Sequence, residues 1–132
     1  MRRIETPDAP RPAGPYAQAV VHNGLCHVSG QLPLDPATGT FVEGDIEAQT
    51  RRTLDNLLAV VRAAGGGPET VLKVTVYLAD MALGARFNAV YAEVFGAYPP
   101  ARSLVPCLPL RPGMLVEIDA MAAVPGEDGA SA

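Results

Sequence analysis

The chain has no tryptophan, only two cysteines and two histidines, and no apolar run approaching the roughly 18 residues of a membrane span. No membrane-spanning helix is therefore expected. Cys26 and Cys107 stand far apart, form no Cys-x-x-Cys pair and have no histidine cluster beside them. That spacing offers neither a zinc site nor a disulfide framework, so both read as buried, reduced thiols and the protein as cytoplasmic. Basic residues are few as well: ten Lys and Arg against fourteen Asp and Glu, a formal charge of −4. A nucleic-acid binder needs a basic face and a polybasic membrane anchor needs a run of cations, so neither is expected. Met1-Arg2-Arg3-Ile4 runs directly into a proline-rich stretch, which is not the pattern of a signal peptide.

What is present is an ordinary globular balance, 48% hydrophobic and 18% charged over 132 residues, enough for a single domain with one core. Four prolines within residues 5–15 predict an extended arm over residues 1–13, and the small, polar residues 125–132 predict a flexible tail. Val20-Val21-His22 and Leu25-Cys26-His27-Val28 flank Asn23-Gly24, the dipeptide best suited to a two-residue hairpin because both positions take positive φ. A second turn is expected at Asp35-Pro36-Ala37-Thr38-Gly39.

From Ile46 the apolar period becomes helical. Ile46, Thr50, Leu54, Leu57, Leu58 and Val61 share a face, Asp45 is placed to cap the helix and Gly65-Gly66-Gly67-Pro68 to end it. Val71–Ala79 reads as a strand with Leu72, Val74, Val76 and Leu78 on one side. A second helix follows Asp80, its stripe running from Leu83 through Phe87 and Tyr91 to Phe95, with Gly96 as its stop. Ala101–Val105 and Leu115–Ala123 complete a β-β-α-β-α-β-β order. The fold class expected is α+β, a mixed sheet with both helices on one face. The other face, with Lys73, Tyr77, Glu117, Asp119 and Met121, is too apolar to lie bare and too polar for an ordinary core, which suggests burial against further subunits.

Arg102 is the single charge between Glu93 and Arg111 and sits in an apolar strand. A guanidinium so placed pairs with Glu117 or Asp119, reaches solvent, or holds a ligand carboxylate in its bidentate fork. Glu117 could position or deprotonate a water. Tyr16 and Ser29 on their own read as packing residues, and Ser29 has no base and no nucleophile-elbow pattern beside it. The two histidines read as sheet-surface residues. The triple glycine lacks the lysine-serine continuation of a phosphate loop.

Taken in order, Gly14-Pro15-Tyr16-Ala17-Gln18, Val28-Ser29-Gly30-Gln31-Leu32-Pro33, Gln49-Thr50 with Leu54-Asp55-Asn56-Leu57, Val71–Leu78 with Asp80, Phe87-Asn88-Ala89-Val90-Tyr91, Pro100-Ala101-Arg102-Ser103 and Val116-Glu117-Ile118 resemble the Rid/YjgF family, the reactive intermediate deaminases. The resemblance implies a chorismate-mutase-like fold and a homotrimer whose sheets form a barrel, with ligands in clefts between subunits. It implies hydrolysis of 2-aminoacrylate and related imines or enamines, released by pyridoxal-phosphate enzymes, to 2-keto acids and ammonia, with no cofactor and no metal. Arg102 takes the position of the carboxylate-binding arginine, Glu117 that of the water-associated glutamate and Tyr16 that of the cleft tyrosine, which makes these three the expected catalytic residues; Ser29 and Gly30 take cleft positions that contact substrate. Ser103, Leu104 and Asn88 are added to the expected substrate contacts. Leu104 stands where many members have cysteine, which leaves room for a pathway-specific deaminase of the aminomuconate type. A non-catalytic, carboxylate-binding trimer is the alternative from another class.

Overall fold

A computed structural model describes residues 1–109 and 111–125. Most of the expected tail, residues 126–132, lies outside the described residues. The elements are β1 (Arg2–Ile4), β2 (Ala19–His22), β3 (Leu25–Gln31), α1 (Ile46–Ala63), β4 (Val71–Leu78), α2 (Gly84–Phe95), β5 (Ala101–Pro106) and β6 (Val116–Ala123). Six strands form one mixed sheet in the order β1-β2-β3-β6-β4-β5, with only the β4–β5 pair parallel. Both helices cover one face, as the sequence predicts for an α+β fold.

The local signals act as elementary stereochemistry requires. Asn23 (φ 51°) and Gly24 (φ 75°) both take positive φ at the β2–β3 turn. Asp45 caps α1 by accepting from Ala48 N at 2.9 Å. At the other end Gly65 takes φ 100°, and Gly65 N and Gly66 N donate to Arg62 O and Val61 O, both at 2.9 Å, a Schellman closure. β1 was not expected, because three residues carry no readable alternation. It forms because the free edge of β2 offers Ala19, Val20 and Val21 as partners, and Ile4 alone enters the core.

One face assignment is corrected. β4 carries a bulge between Val71 and Lys73. An extra residue in one strand reverses the alternation beyond it, so Val71 is buried and Leu72 is 46% exposed, whereas Val74, Val76 and Leu78 lie in the core as expected.

Three buried amides staple loops to this scaffold. Gln18 Nε2 donates to Thr6, Ala9 and Pro10 carbonyls in the arm. Gln49 Nε2 reaches Gly44 O and Gly113 O while its Oε1 accepts from Leu115 N. Asn56 Nδ2 donates to Leu32 O at 3.0 Å and Leu34 O at 2.8 Å. Asn56→Ala strands two carbonyls, so an expected loss of about 2 kcal/mol in unfolding free energy, with unchanged denaturant slope, should be seen in urea titration.

Candidate functional site

Pro99-Pro100 breaks the chain after α2 and forces an extended entry into β5. β5 pairs only with β4, so it is the sheet edge. Strand alternation sends Arg102 and Leu104 to the helix side, with Val74 and Val76, and Ser103 to the open side, with Thr75. Arg102 is thus half-buried at an edge rather than enclosed in an apolar strand. Its Nη1 donates to Asn88 Oδ1 of α2 at 2.8 Å, and its guanidinium carbon lies 4.7 Å from the centroid of the Tyr91 ring. Among the described residues it has no carboxylate partner. The expected alternatives of a bridge to Glu117 or Asp119 fail for a geometric reason: both carboxylates point to the opposite face. Tyr91 is 8% exposed, its hydroxyl has no hydrogen-bond partner among the described residues, and burial raises its pKa against the lowering effect of Arg102.

The second group lies around the β3–β6 bulge, on the open face. Glu117 leans over Gly30 so closely that a Cβ there would collide with Glu117 Oε2 and lie 3.0 Å from Cδ. Burial, then the negative charge of Asp119, pushes the Glu117 carboxyl above the ordinary carboxylate value. Asp119 is itself bound by the Tyr77 hydroxyl at 3.2 Å. Ser29 Oγ donates to Ala17 O at 2.6 Å, which commits its proton to fixing the Gly14–Ala17 segment and leaves its lone pairs free to accept. Tyr16, 52% exposed, accepts from Ala13 N at 3.3 Å and lines a small cavity with Gly30 and Gln31. Ser103, also on the open face, accepts from Lys73 Nζ at 3.0 Å.

The expected site residues therefore fall into two groups. Arg102, Asn88 and Leu104 stand together on the helix side of the β5 edge; Tyr16, Ser29, Gly30 and Glu117 stand together on the open side near β3 and β6. β4 lies between β5 and β6, so within one chain Arg102 and Glu117 are two strand spacings, roughly 10 Å, apart across the sheet and on opposite faces, with Ser29 and Gly30 on β3 one spacing further. Sequence reasoning gave no site role to Tyr91 or Tyr77, and gave Asp119 only that of a possible ion-pair partner for Arg102. The signal for Tyr91 was its place one helical turn beyond Asn88; Asp119 was legible only as a second carboxylate on the Glu117 face. Among the described residues no group of three His, Cys, Asp or Glu side chains could hold a metal ion, and no helix is long and apolar enough to cross a membrane.

A sequence-family model described as Endoribonuclease L-PSP matches residues 6–124. The chain is 48% identical over 119 residues to the RutC family protein PH0854 of Pyrococcus horikoshii, covering 90% of this chain and 94% of that one. Its fold superposes on the conserved Rid family protein YyfA of Yersinia pestis with a TM-score of 0.89, at 42% identity over 93% of this chain and 98% of that one. It is similar also to Escherichia coli TdcF with bound serine, with a TM-score of 0.87, 36% identity and the same coverage. With a family model spanning its core elements and solved relatives matching both sheet and helices, the chain belongs to the Rid/YjgF family.

Proposed function

We propose that this protein is a 2-iminobutanoate/2-iminopropanoate-type deaminase, a hydrolase acting on the C=N bond of small carboxylate imines and enamines to give 2-keto acids and ammonia. The observation that carries the reading is the state of Arg102: a guanidinium held by Asn88 and Tyr91, with no protein carboxylate among the described residues to satisfy the rest of its fork. That is a prepared site for a ligand carboxylate. The serine bound in the related TdcF structure is a ligand carrying such a group. A homotrimer supplies what one chain lacks. With the β5 edge of one subunit set against the open face of the next, Arg102, Asn88 and Leu104 meet the neighbour's Tyr16, Ser29, Gly30 and Glu117 across one cleft.

In that cleft Arg102 anchors the carboxylate, and Glu117 orients a water toward the imine carbon. From the protonated imine, water oxygen bonds to carbon as a water proton passes to Glu117 and the C=N π pair moves to nitrogen, giving a neutral carbinolamine. Glu117 returns that proton to nitrogen, and the C–N bond breaks with its electron pair leaving on ammonia while the hydroxyl proton passes to Glu117, so that the keto acid remains. The imines hydrolyse readily in water, so positioning supplies the acceleration required. The test couples the purified chain to a pyridoxal-phosphate threonine dehydratase. Keto-acid release should outpace spontaneous hydrolysis, and release at the uncatalysed rate at every protein concentration overturns the reading.

The carboxyl that serves as base also sets a pH signature. Glu117 must be ionised to accept a proton, so the acid limb of the rate profile should lie above the ordinary carboxylate range, and Asp119→Asn should move it down. Stability runs the other way. Between the ordinary carboxyl value and the raised one, the folded state keeps a proton that the unfolded state has lost, so stability falls as pH rises through that window and stays lower above it. Glu117→Gln should therefore melt at a higher temperature than wild type at neutral pH while losing activity, a pair of outcomes read by thermal melts across pH and the coupled assay.

A further inference from the structure

Several arginines outside the site described above have no carboxylate partner among the described residues, and two of them, Arg11 and Arg111, share one groove. Arg11 lies between Pro10 and Pro12 in the arm, and Arg111 precedes Pro112 and Gly113 in the β5–β6 connection. Both are exposed, and neither has a carboxylate partner among the described residues, whereas Arg51 and Arg86 on the helices are each paired, with Glu93 and Glu47. Arg11 and Arg111 nevertheless face the same space. Together they line a narrow cavity of about 50 Å³ whose wall includes Tyr16 and Gly30, and together they line a wider groove of about 460 Å³ that runs on toward the Pro36–Gly39 turn. The two spaces share Pro10, Ala13 and Leu34, so the groove adjoins the cleft mouth directly.

The backbone that carries these arginines is held from beneath. Buried Gln18 holds the carbonyl of Pro10 at 3.0 Å, and buried Gln49 holds that of Gly113 at 2.8 Å. The flanking prolines restrict the backbone further. Two like charges are thus presented to one groove by loops that cannot easily part them. An anion between them removes their repulsion and satisfies guanidinium donors that are otherwise left to water. In a chain of net charge −4 this is a local positive exception next to the reacting centre.

We propose that Arg11 and Arg111 form a second anion subsite, so that this cleft prefers imines and enamines carrying a further anionic group, carboxylate or phosphate, beyond the one held by Arg102. The proposal rests on the reading of the cleft as the place where a substrate carboxylate binds; it adds the class of substrate. Since such imines arise by oxidation or elimination from acidic or phosphorylated amino acids, a reaction of that class would supply them.

Calorimetry on the full chain compares 2-ketobutyrate with 2-ketoglutarate and 3-phosphoglycerate, which are dianionic here in the sense that each carries two anionic groups, a second carboxylate or a phosphate. The dianionic probes should bind at least tenfold more tightly than 2-ketobutyrate at low ionic strength, with the advantage shrinking in salt. Which of the two binds better distinguishes carboxylate from phosphate. Arg11→Ala and Arg111→Ala should each reduce the advantage severalfold, and the double variant should erase it. Both residues are exposed, so a folded variant is expected and a circular dichroism melt checks it. The subsite is overturned if the dianionic probes bind no better than 2-ketobutyrate, fail to bind at all, or keep their advantage in the double variant. Dianion binding that depends on the arginines, in a protein that hydrolyses no imine, sinks the deaminase reading and leaves the subsite standing. Turnover of 2-iminobutanoate with no dianion advantage does the reverse.

Discussion

Arg102→Ala should lower kcat/KM for 2-iminobutanoate about 100-fold in the coupled assay, and Arg102→Lys should recover little of it. A charge-assisted hydrogen bond contributes about 1.5–3 kcal/mol, which corresponds to roughly 10- to 150-fold. Lysine keeps the charge but not the fork, and it does not stack on the Tyr91 ring that lies 4.7 Å from the guanidinium carbon. The carboxylate takes no part in breaking the C–N bond, and its charge is the same in the ground and transition states. Most of the loss should therefore appear in KM rather than kcat. Because Arg102 is half-buried at a sheet edge and pairs with no carboxylate among the described residues, neither variant should melt far from wild type. Near-wild-type kcat/KM in both variants would remove Arg102 from the site. Loss confined to kcat would mean that it acts on the reacting atoms and not on an anchor.

The sequence and the structure agree most closely where a local chemical rule sufficed. Asn23-Gly24 had to turn, Asp45 could cap and Gly65 could close α1, because each needs only near neighbours. The alternation of β6 also survives intact, with Val116, Ile118, Ala120 and Ala122 on the core side. What was not legible depends on partners distant in sequence. The β4 bulge moves Leu72 outward through its register with β6, and β1 exists only because β2 has a free edge. The same limit applies to the site. The family motifs single out Arg102 and Glu117 as the residues proposed for the site, but only the strand order β6-β4-β5 reveals that they face opposite ways in one chain. The buried glutamines and Asn56 were visible only as parts of motifs, since an amide that binds two or three loop carbonyls has no pattern of its own.

Gly30→Ala should cost about 100-fold in kcat while leaving the fold and the carboxylate anchor in place. Among the described residues no positive φ is recorded at Gly30, so an alanine meets no backbone strain there. The conflict is entirely with a side chain: the new methyl would occupy the space of Glu117 Oε2 and press on its Cδ. That carboxylate is the far end of a flexible side chain and can rotate away, so the melting temperature should change by only a few degrees. Rotation, however, takes the base off the line to the water it is proposed to orient, and a positioned acid–base group contributes about 10²-fold or more. The kinetic signature is opposite to that of Arg102, with kcat falling and KM for the imine nearly constant. Glu117→Gln should be as slow as Gly30→Ala, and the double variant no slower than either, because both changes remove one function. If Gly30→Ala retained wild-type kcat, the close approach of Glu117 to Gly30 would be a packing feature, and the water would need another base in the cleft.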